Sequence, residues 1–206
     1  MVRLTNSDRK RIEEAIVAAE ARTDGEIYCV VARESDDYRA VAALWAVLAA
    51  LLAGPLLLPA GLPPATLVLV QLVAALLLGA LSQWEPVRHR LVPRALKRRR
   101  AHRTAVEMFL AHNIHATPER TGLLLFVSLA ERHAEVVADT GIFGEVADEV
   151  WLELVERLTA RIGEGALAAG LVEAIGTAGD ILAAHVPETG ARVRPPNALP
   201  NALVEI

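Results

Sequence analysis

Residues 40–84 read AVAALWAVLAALLAGPLLLPAGLPPATLVLVQLVAALLLGALSQW and form one long apolar segment. It contains no charged residue and consists mainly of Leu, Ala and Val. A helix needs about 20 apolar residues to cross a hydrocarbon core of about 30 Å. Two such helices fit here, over about residues 40–58 and 65–84, with a turn rich in proline and glycine at residues 59–64. We therefore predict a transmembrane helical hairpin.

The alternative is a helical hairpin buried in a soluble core. A soluble core helix carries a polar stripe on its outer face, and neither apolar arm shows one. Gln71 is the strongly polar side chain in the middle of the second arm, where it predicts a hydrogen bond between the two helices. Two spans without ionisable groups offer no polar pathway, which argues against a transporter or channel.

Eight basic side chains follow the hairpin, although the net charge of the chain is −4. Cationic residues beside a span mark the cytoplasmic side and attract anionic lipid head groups. We therefore expect an inner-membrane protein with two spans, both termini in the cytoplasm, and contacts to lipid in preference to nucleic acid. Whether the basic segment lies on the bilayer or continues the second span stays open. The basic residues are Arg88, Arg90, Arg94, Lys97, Arg98, Arg99, Arg100 and Arg103.

The N-terminus agrees with a cytoplasmic start, because residues 1–14 are polar and lack the apolar core of a signal peptide. The single cysteine, Cys29, excludes an internal disulfide and an all-cysteine metal site. It lies in an apolar run at residues 27–32, which is typical of a buried structural thiol.

The flanks of the hairpin alternate helical and strand patterns. Capping residues from Thr5 precede an amphipathic helix that runs to about Ala21. We predict strands over residues 26–33, 122–129 and 134–138 and helices that end near Asn113 or cover residues 146–162 and 167–185. This order predicts an α/β fold in which helices pack on a small sheet.

A helix and strand of about 33 residues bury too little surface to fold alone. The hairpin is therefore expected to be inserted within one domain formed by both flanks, and the proline-rich end to be a flexible tail. The predicted organisation is residues 1–39, first part of the α/β domain; 40–84, hairpin; 85–103, basic segment; 104–186, second part of the domain; and 187–206, tail.

Three short motifs resemble the TPM domain family. They are Ala21-Arg22-Thr23-Asp24-Gly25-Glu26-Ile27, Thr121-Gly122-Leu123-Leu124-Leu125 and Ala138-Asp139-Thr140-Gly141-Ile142. The resemblance implies a small βαβ-type sandwich. It also implies one of two roles, because some members are divalent-metal-binding acid phosphatases and others are non-catalytic assembly or stability factors. In contrast to many relatives, this chain inserts its hairpin between the first strand and the next helix.

Metal-dependent hydrolysis of a phosphate ester needs oxygen ligands that neutralise charge and orient water. The candidate ligands for a divalent cation, calcium or magnesium, are Asp24, Glu26 and Asp139, each at a strand or loop end. The simpler interpretation is that Asp139 ends a strand in a turn, because Asp and Gly are common in turns. Asp24 and Glu26 have a similar alternative as solvated residues after a helix.

The remaining polar and histidine residues have structural interpretations. Glu131, Arg132 and His133 have the composition of a polar turn between strands, and His102, His112 and His115 lack the spacing of a helical zinc site. Two functions stay open: a membrane-anchored module that binds or stabilises another membrane protein, and a membrane-anchored phosphatase. The interaction module is preferred, because the acidic residues that could bind a cation are few, and Asp139 in the Asp139-Thr140-Gly141 motif is the best single ligand candidate.

Overall fold

The computed structural model describes residues 4–117, 119–187 and 202–206. The chain divides into two compact units. One, here called the α/β unit, combines Met1–Ser35 with Arg100–Ile206, and the other, the apolar unit, is Asp36–Arg99. Each unit is described by itself.

Eight α-helices and four strands are found in the described residues. In chain order they are α1 (Asn6–Glu20), β1 (Glu26–Ala32), α2 (Arg39–Leu57), α3 (Pro64–Ser82), α4 (Glu85–Leu91), α5 (Arg94–Ala111), β2 (Gly122–Ser128), β3 (His133–Ala138), α6 (Thr140–Phe143), α7 (Asp148–Gly163), α8 (Leu167–His185) and β4 (Leu203–Glu205).

The sheet of the α/β unit is mixed, with the order β3-β2-β1-β4. β1 pairs in parallel with β2, with Glu26 opposite Gly122, and β2 pairs antiparallel with β3, with Leu123 opposite Ala138. These pairings confirm the α/β class. They also confirm the three predicted strands, which correspond to β1, β2 and β3. Every residue of β2 is buried, as expected for a strand covered on both faces.

The core of the α/β unit lies on both faces of this sheet. α1, α7 and α8 cover one face, where Ile16, Leu154 and Leu171 are fully or almost fully buried. α5 covers the other face, where Phe109 packs with Tyr28 and Phe126. Successive side chains of β1 and β2 point to opposite faces, so each strand contributes to both clusters.

Cys29 lies in the first of these clusters and is completely buried. Burial raises the pKa of its thiol to about 12, because an apolar environment disfavours the charged thiolate. The prediction of a buried structural thiol is confirmed.

Helices α2 and α3 form most of the apolar unit. Gln71 of α3 donates its Nε2 hydrogen to the carbonyl oxygen of Leu51 in α2, at 3.3 Å. Gly54 of α2 lies against the same amide, and a Cβ there would be 2.3 Å from Gln71 Nε2. The hydrogen bond predicted between the two helices is confirmed.

Three helical stretches in the described residues are long and apolar enough to cross a membrane. They are Arg39–Ala60, Pro64–Ser82 and Leu167–His185, with mean hydropathies of 2.4, 2.3 and 1.5. The share of the most apolar stretch that is buried within the protein is 22%, 6% and 50%, respectively. The first two correspond to the predicted spans, and the third, α8, is a predicted helix of the α/β domain.

Two sequence predictions differ from the structure. Part of the predicted flexible tail, Leu203–Glu205, is strand β4, which pairs in parallel with Cys29–Val31; the rest of the tail, residues 188–201, lies outside the described residues. Arg88, expected among the residues facing lipid head groups, is 6% exposed.

Candidate functional site

All three predicted metal ligands lie at the same end of the sheet, where β1 and β2 begin and β3 ends. Glu26 begins β1 and its N–H donates to Thr121 O at 3.1 Å, while the Thr121 hydroxyl donates to Asp24 O at 3.1 Å. Asp139 follows β3, and its N–H donates to Gly122 O at 2.9 Å. Asp24, Glu26 and Asp139 therefore lie near the same end of the sheet.

At this end of the sheet, the start of β2 lies between Glu26 and Asp139. Glu26 and Asp139 flank Gly122 on either side, which places their backbones two strand spacings apart, roughly 10 Å. The space above Gly122 is filled, because a Cβ there would be 2.2 Å from the carbonyl oxygen of Ile114. Backbone therefore occupies the gap through which the carboxylates would have to approach each other.

The Asp139 side chain caps the short helix α6. Its Oδ1 accepts hydrogen bonds from the N–H and hydroxyl of Thr140, at 2.6 and 3.2 Å. Asp139 is 6% exposed, and its Oδ2 is buried without a hydrogen-bond partner among the described residues. A buried carboxylate oxygen without a partner is unfavourable, so this atom is the strongest indication of a ligand at the sheet edge.

The donor set does not fit a metal as arranged. Asp24, Glu26 and Asp139 are all described, and they do not form a group in which every ligand atom lies within 4.8 Å of the others. Calcium and magnesium take six or more oxygen ligands at about 2.0–2.6 Å, which requires closer convergence. No metal-dependent step is therefore assigned to these residues.

A second feature is a groove of about 580 Å³ along β3, here called the β3 groove. One wall comes from α6 and α7, where Phe143 and Leu152 are 62% and 59% exposed and Trp151 is buried behind them. His102 of α5 stands on the other side of the strand. Large apolar side chains exposed together are typical of an interaction surface.

Glu135 of β3 lies in this groove between two histidines. His102 Nδ1 is 2.5 Å from Glu135 Oε1, and His133 Nε2 is 3.1 Å from Glu135 Oε2. Burial would raise the pKa of Glu135, but hydrogen bonds from His133 and His102 outweigh burial and lower it. This carboxylate is therefore held ionised at the open edge of the sheet.

The acidic rim of the β3 groove is formed by the first turn of α7. Asp148 and Glu149 are exposed there, and neither has an ion-pair partner among the described residues. Carboxylates at a helix N-terminus are stabilised by the helix dipole. The rim therefore presents two negative charges beside an apolar wall.

The β3 groove does not follow from the sequence patterns. Those patterns predict a turn at Glu131, Arg132 and His133, and for Glu131 this agrees with the hydrogen bonds that it accepts from Ser128 and Ser35. His133 is instead the first residue of β3. The alternation of His133 and Glu135 was the available signal, because residues i and i+2 share a face of a strand.

The other two histidines noted in the sequence have local aromatic contacts. His112 Nδ1 lies 3.0 Å from the Tyr28 hydroxyl, and the rings of His115 and Phe109 are 6.4 Å apart. Each packs beside the α5 face of the sheet. The three histidines His102, His112 and His115 therefore serve separate contacts.

Comparison with known proteins gives a likeness of fold. No family model matches the chain, and no curated protein matches it. The chain is similar to the NMR structure of the BA42 protein from the psychrophilic bacterium Bizionia argentinensis, with a TM-score of 0.61 and 19% identity. That match covers 98% of this chain and 95% of the other. At this identity the match shows the fold alone, and the resemblance to the TPM domain family stays a prediction.

Proposed function

We propose that this protein is a membrane-anchored interaction module that assembles or stabilises another membrane protein. In this proposal α2 and α3 cross the inner membrane, and the α/β unit, with both flanks of the hairpin, lies in the cytoplasm. The observation that carries the proposal is the β3 groove, whose exposed Phe143 and Leu152 leave apolar surface uncovered.

The number of spans is proposed as two, although α8 is also apolar. α8 buries Leu171, Ile175 and Leu182 in the core of the α/β unit, so its apolar face is already covered. In α3, by contrast, Leu76 and Leu77 are 74% and 65% exposed, which is costly in water and favourable in lipid.

Basic side chains after the hairpin support the cytoplasmic orientation. Arg98, Arg99 and Arg103 are exposed on α5, where they would contact anionic lipid head groups at the cytoplasmic surface. The turn at residues 58–63 carries no charge, as expected for the side that crosses the membrane. Arg88 is left out of this contact surface because it is buried.

Cysteine labelling tests the anchor and its topology. Cys29 is buried and is replaced by Ala, and single cysteines are introduced as Ala60→Cys, Glu164→Cys and Ala184→Cys at exposed positions. A membrane-impermeant maleimide is expected to label only Ala60→Cys in intact cells and all three after lysis. Labelling of Ala184→Cys but not Glu164→Cys in intact cells would show that α8 is a span and would overturn the two-span topology.

Photo-crosslinking tests the interaction role. A photoreactive amino acid replaces Leu152 in the β3 groove, and the matched control replaces Leu110, which is exposed on α5. We expect cells to yield one discrete membrane-protein adduct from position 152, and we expect removal of the chain to lower the level of that membrane protein. Equal adducts from both positions, with the level unchanged, would contradict the proposal.

The second candidate is a membrane-anchored, divalent-metal-dependent phosphatase. It is favoured by one observation, the buried Asp139 Oδ2 without a partner among the described residues. Calorimetry with calcium, magnesium and manganese on the full chain, wild type against Asp139→Asn, checks it. Saturable binding that Asp139→Asn abolishes, with turnover of a phosphate ester, would favour the phosphatase over the interaction module.

A further inference from the structure

The outer edge of β3 is open in the part of the chain that the structure describes. β3 is the last strand of the sheet on its side, and β2 pairs with one edge only. Because Asp139 N–H donates to Gly122 O, alternation directs the N–H and C=O groups of residues 133, 135 and 137 towards β2. The same groups of Ala134, Val136 and Ala138 therefore point outward.

An open strand edge is a template for pairing with another chain, and soluble proteins usually protect it. The β3 groove has an apolar wall on one side of the strand and a polar wall on the other. Leu152 and Phe143 stand on the side of α6 and α7, and His102 with Glu135 stands on the side of α5. An added strand would find backbone partners at the edge and side-chain contacts on both walls.

We propose that β3 binds an extended peptide segment of a partner protein as an additional strand, with apolar side chains on the Leu152 wall and a basic side chain beside Asp148 and Glu149. This inference rests on the proposed interaction function and gives it a mode of binding. Six residues of β3 offer three outward positions, so a segment of about six residues fills the groove.

Charge favours such a peptide over a second copy of this chain. Asp148 and Glu149 lack ion-pair partners among the described residues. In a symmetric dimer through β3, each copy would bring the same groove residues, which include no Lys or Arg, so neither acidic rim would meet a complementary charge. A basic segment instead meets complementary charge at the rim.

The test measures peptide binding to the full chain in nanodiscs by fluorescence anisotropy. The probe is a labelled eight-residue peptide that alternates Val and Thr and ends in Lys. One control peptide has the same sequence with alternate backbone nitrogens methylated, which removes strand donors but keeps the side chains. The other control replaces Lys with Glu.

Two protein variants locate the binding. Val136→Pro removes an outward N–H and leaves the hydrogen bonds to β2 intact, and Leu152→Glu puts charge on the apolar wall. Leu110→Glu is the matched control on α5. Circular dichroism and thermal unfolding confirm that each variant is folded.

We expect saturable binding that weakens about tenfold or more with the methylated peptide, with Val136→Pro and with Leu152→Glu. Leu110→Glu should leave binding unchanged, and Lys should be preferred over Glu. Absence of binding, or equal binding of methylated peptide, would overturn strand addition. A dimer in nanodiscs that Leu152→Glu converts to monomer would overturn it in favour of a second copy.

Failure of this inference is separable from failure of the proposed function. If the crosslink from position 152 persists while no probe peptide binds, the interaction role stands and strand addition is rejected. If neither the crosslink nor the topology is found, the proposed function itself is rejected.

Discussion

Glu135 shows how one residue links stability of the sheet edge to pH. Its pKa is lowered below the ordinary value of 4.5 in the folded protein, so its contribution to stability is present above about pH 4.5 and is lost as pH falls through the lowered pKa. Glu135→Gln is expected to flatten this acid dependence and to cost about 1 kcal/mol near pH 7, because the side chain is still 19% exposed.

Urea unfolding of the full chain at several pH values checks the Glu135 prediction. Glu107→Gln is the control, since Glu107 forms an exposed pair with Arg103 on α5. An acid dependence that Glu135→Gln leaves as steep as in the wild type would contradict the hydrogen-bond explanation.

Asp139 carries a structural role that is separable from ligand binding. Asp139→Ala removes the cap of α6 and is expected to lower the free energy of unfolding by about 1 kcal/mol. Asp139→Asn keeps an oxygen for the Thr140 hydrogen bonds and should leave stability close to wild type. Thermal unfolding of both variants measures this difference; equal losses would show that charge, and not capping, is what Asp139 supplies.

Among the elements, β4 is short but is expected to stabilise the sheet. Ile206 N–H donates to Val31 O, so the alternate residue Val204 also directs its N–H towards β1, and Glu205 directs its own outward. Val204→Pro should therefore lower the free energy of unfolding by about 2 kcal/mol or more. Glu205→Pro should cost little, because its ion pair with Arg9 is exposed.

Hydrogen exchange of β1 amides in the two proline variants gives the readout. Faster exchange at Cys29–Val31 is expected in Val204→Pro and not in Glu205→Pro. The opposite ranking would mean that the pairing register differs from the one described.

At this scale, sequence patterns predicted some elements well and others poorly, for physical reasons. β1 and β2 were recognisable because strands buried on both faces read as unbroken apolar runs. β4 has three residues in a proline-rich region, too few to show alternation. The β3 groove was not predictable, because tertiary packing brings together residues from four elements, α5, β3, α6 and α7.

The candidate ligands show the same limit. The strand pattern of the sequence predicts that Asp24, Glu26 and Asp139 lie at strand or loop ends, and the structure places all three at one end of the sheet. That Ile114 fills the space over Gly122 depends on a contact between a short 3-10 helix, Ile114–Ala116, and the first residue of β2. No local pattern in the sequence reports such a contact.

For the whole molecule, the α/β unit is expected to fold without residues 36–99. Ser35 O accepts a hydrogen bond from the Thr104 hydroxyl at 3.2 Å, so the two segments meet within this unit. Arg100 is one helical turn, about 6 Å, before Thr104. A linker of about six Gly and Ser residues, with a reach of roughly 20 Å, should therefore join Ser35 to Arg100.

We expect this shortened protein to be soluble and to keep the sheet, with far-ultraviolet circular dichroism of a mixed α/β fold. The full chain should sediment with membranes, and the shortened one should not. A shortened protein that aggregates although its linker is lengthened would show that the α/β unit needs residues 36–99 to fold.

Because the α/β unit is built from two separate segments of the chain, its strands are synthesised at different times during translation. Ala32 ends β1, and Gly122 begins β2, 90 residues later (122 − 32), so the ribosome makes β1, which is apolar from Ile27 onward, long before its neighbouring strand exists. At a synthesis rate of about 5–20 residues per second, β2 follows β1 after roughly 5–20 s, and residues 203–205 follow later still. Nascent chains stalled in this interval should bind chaperones through β1, and release should follow synthesis of β2.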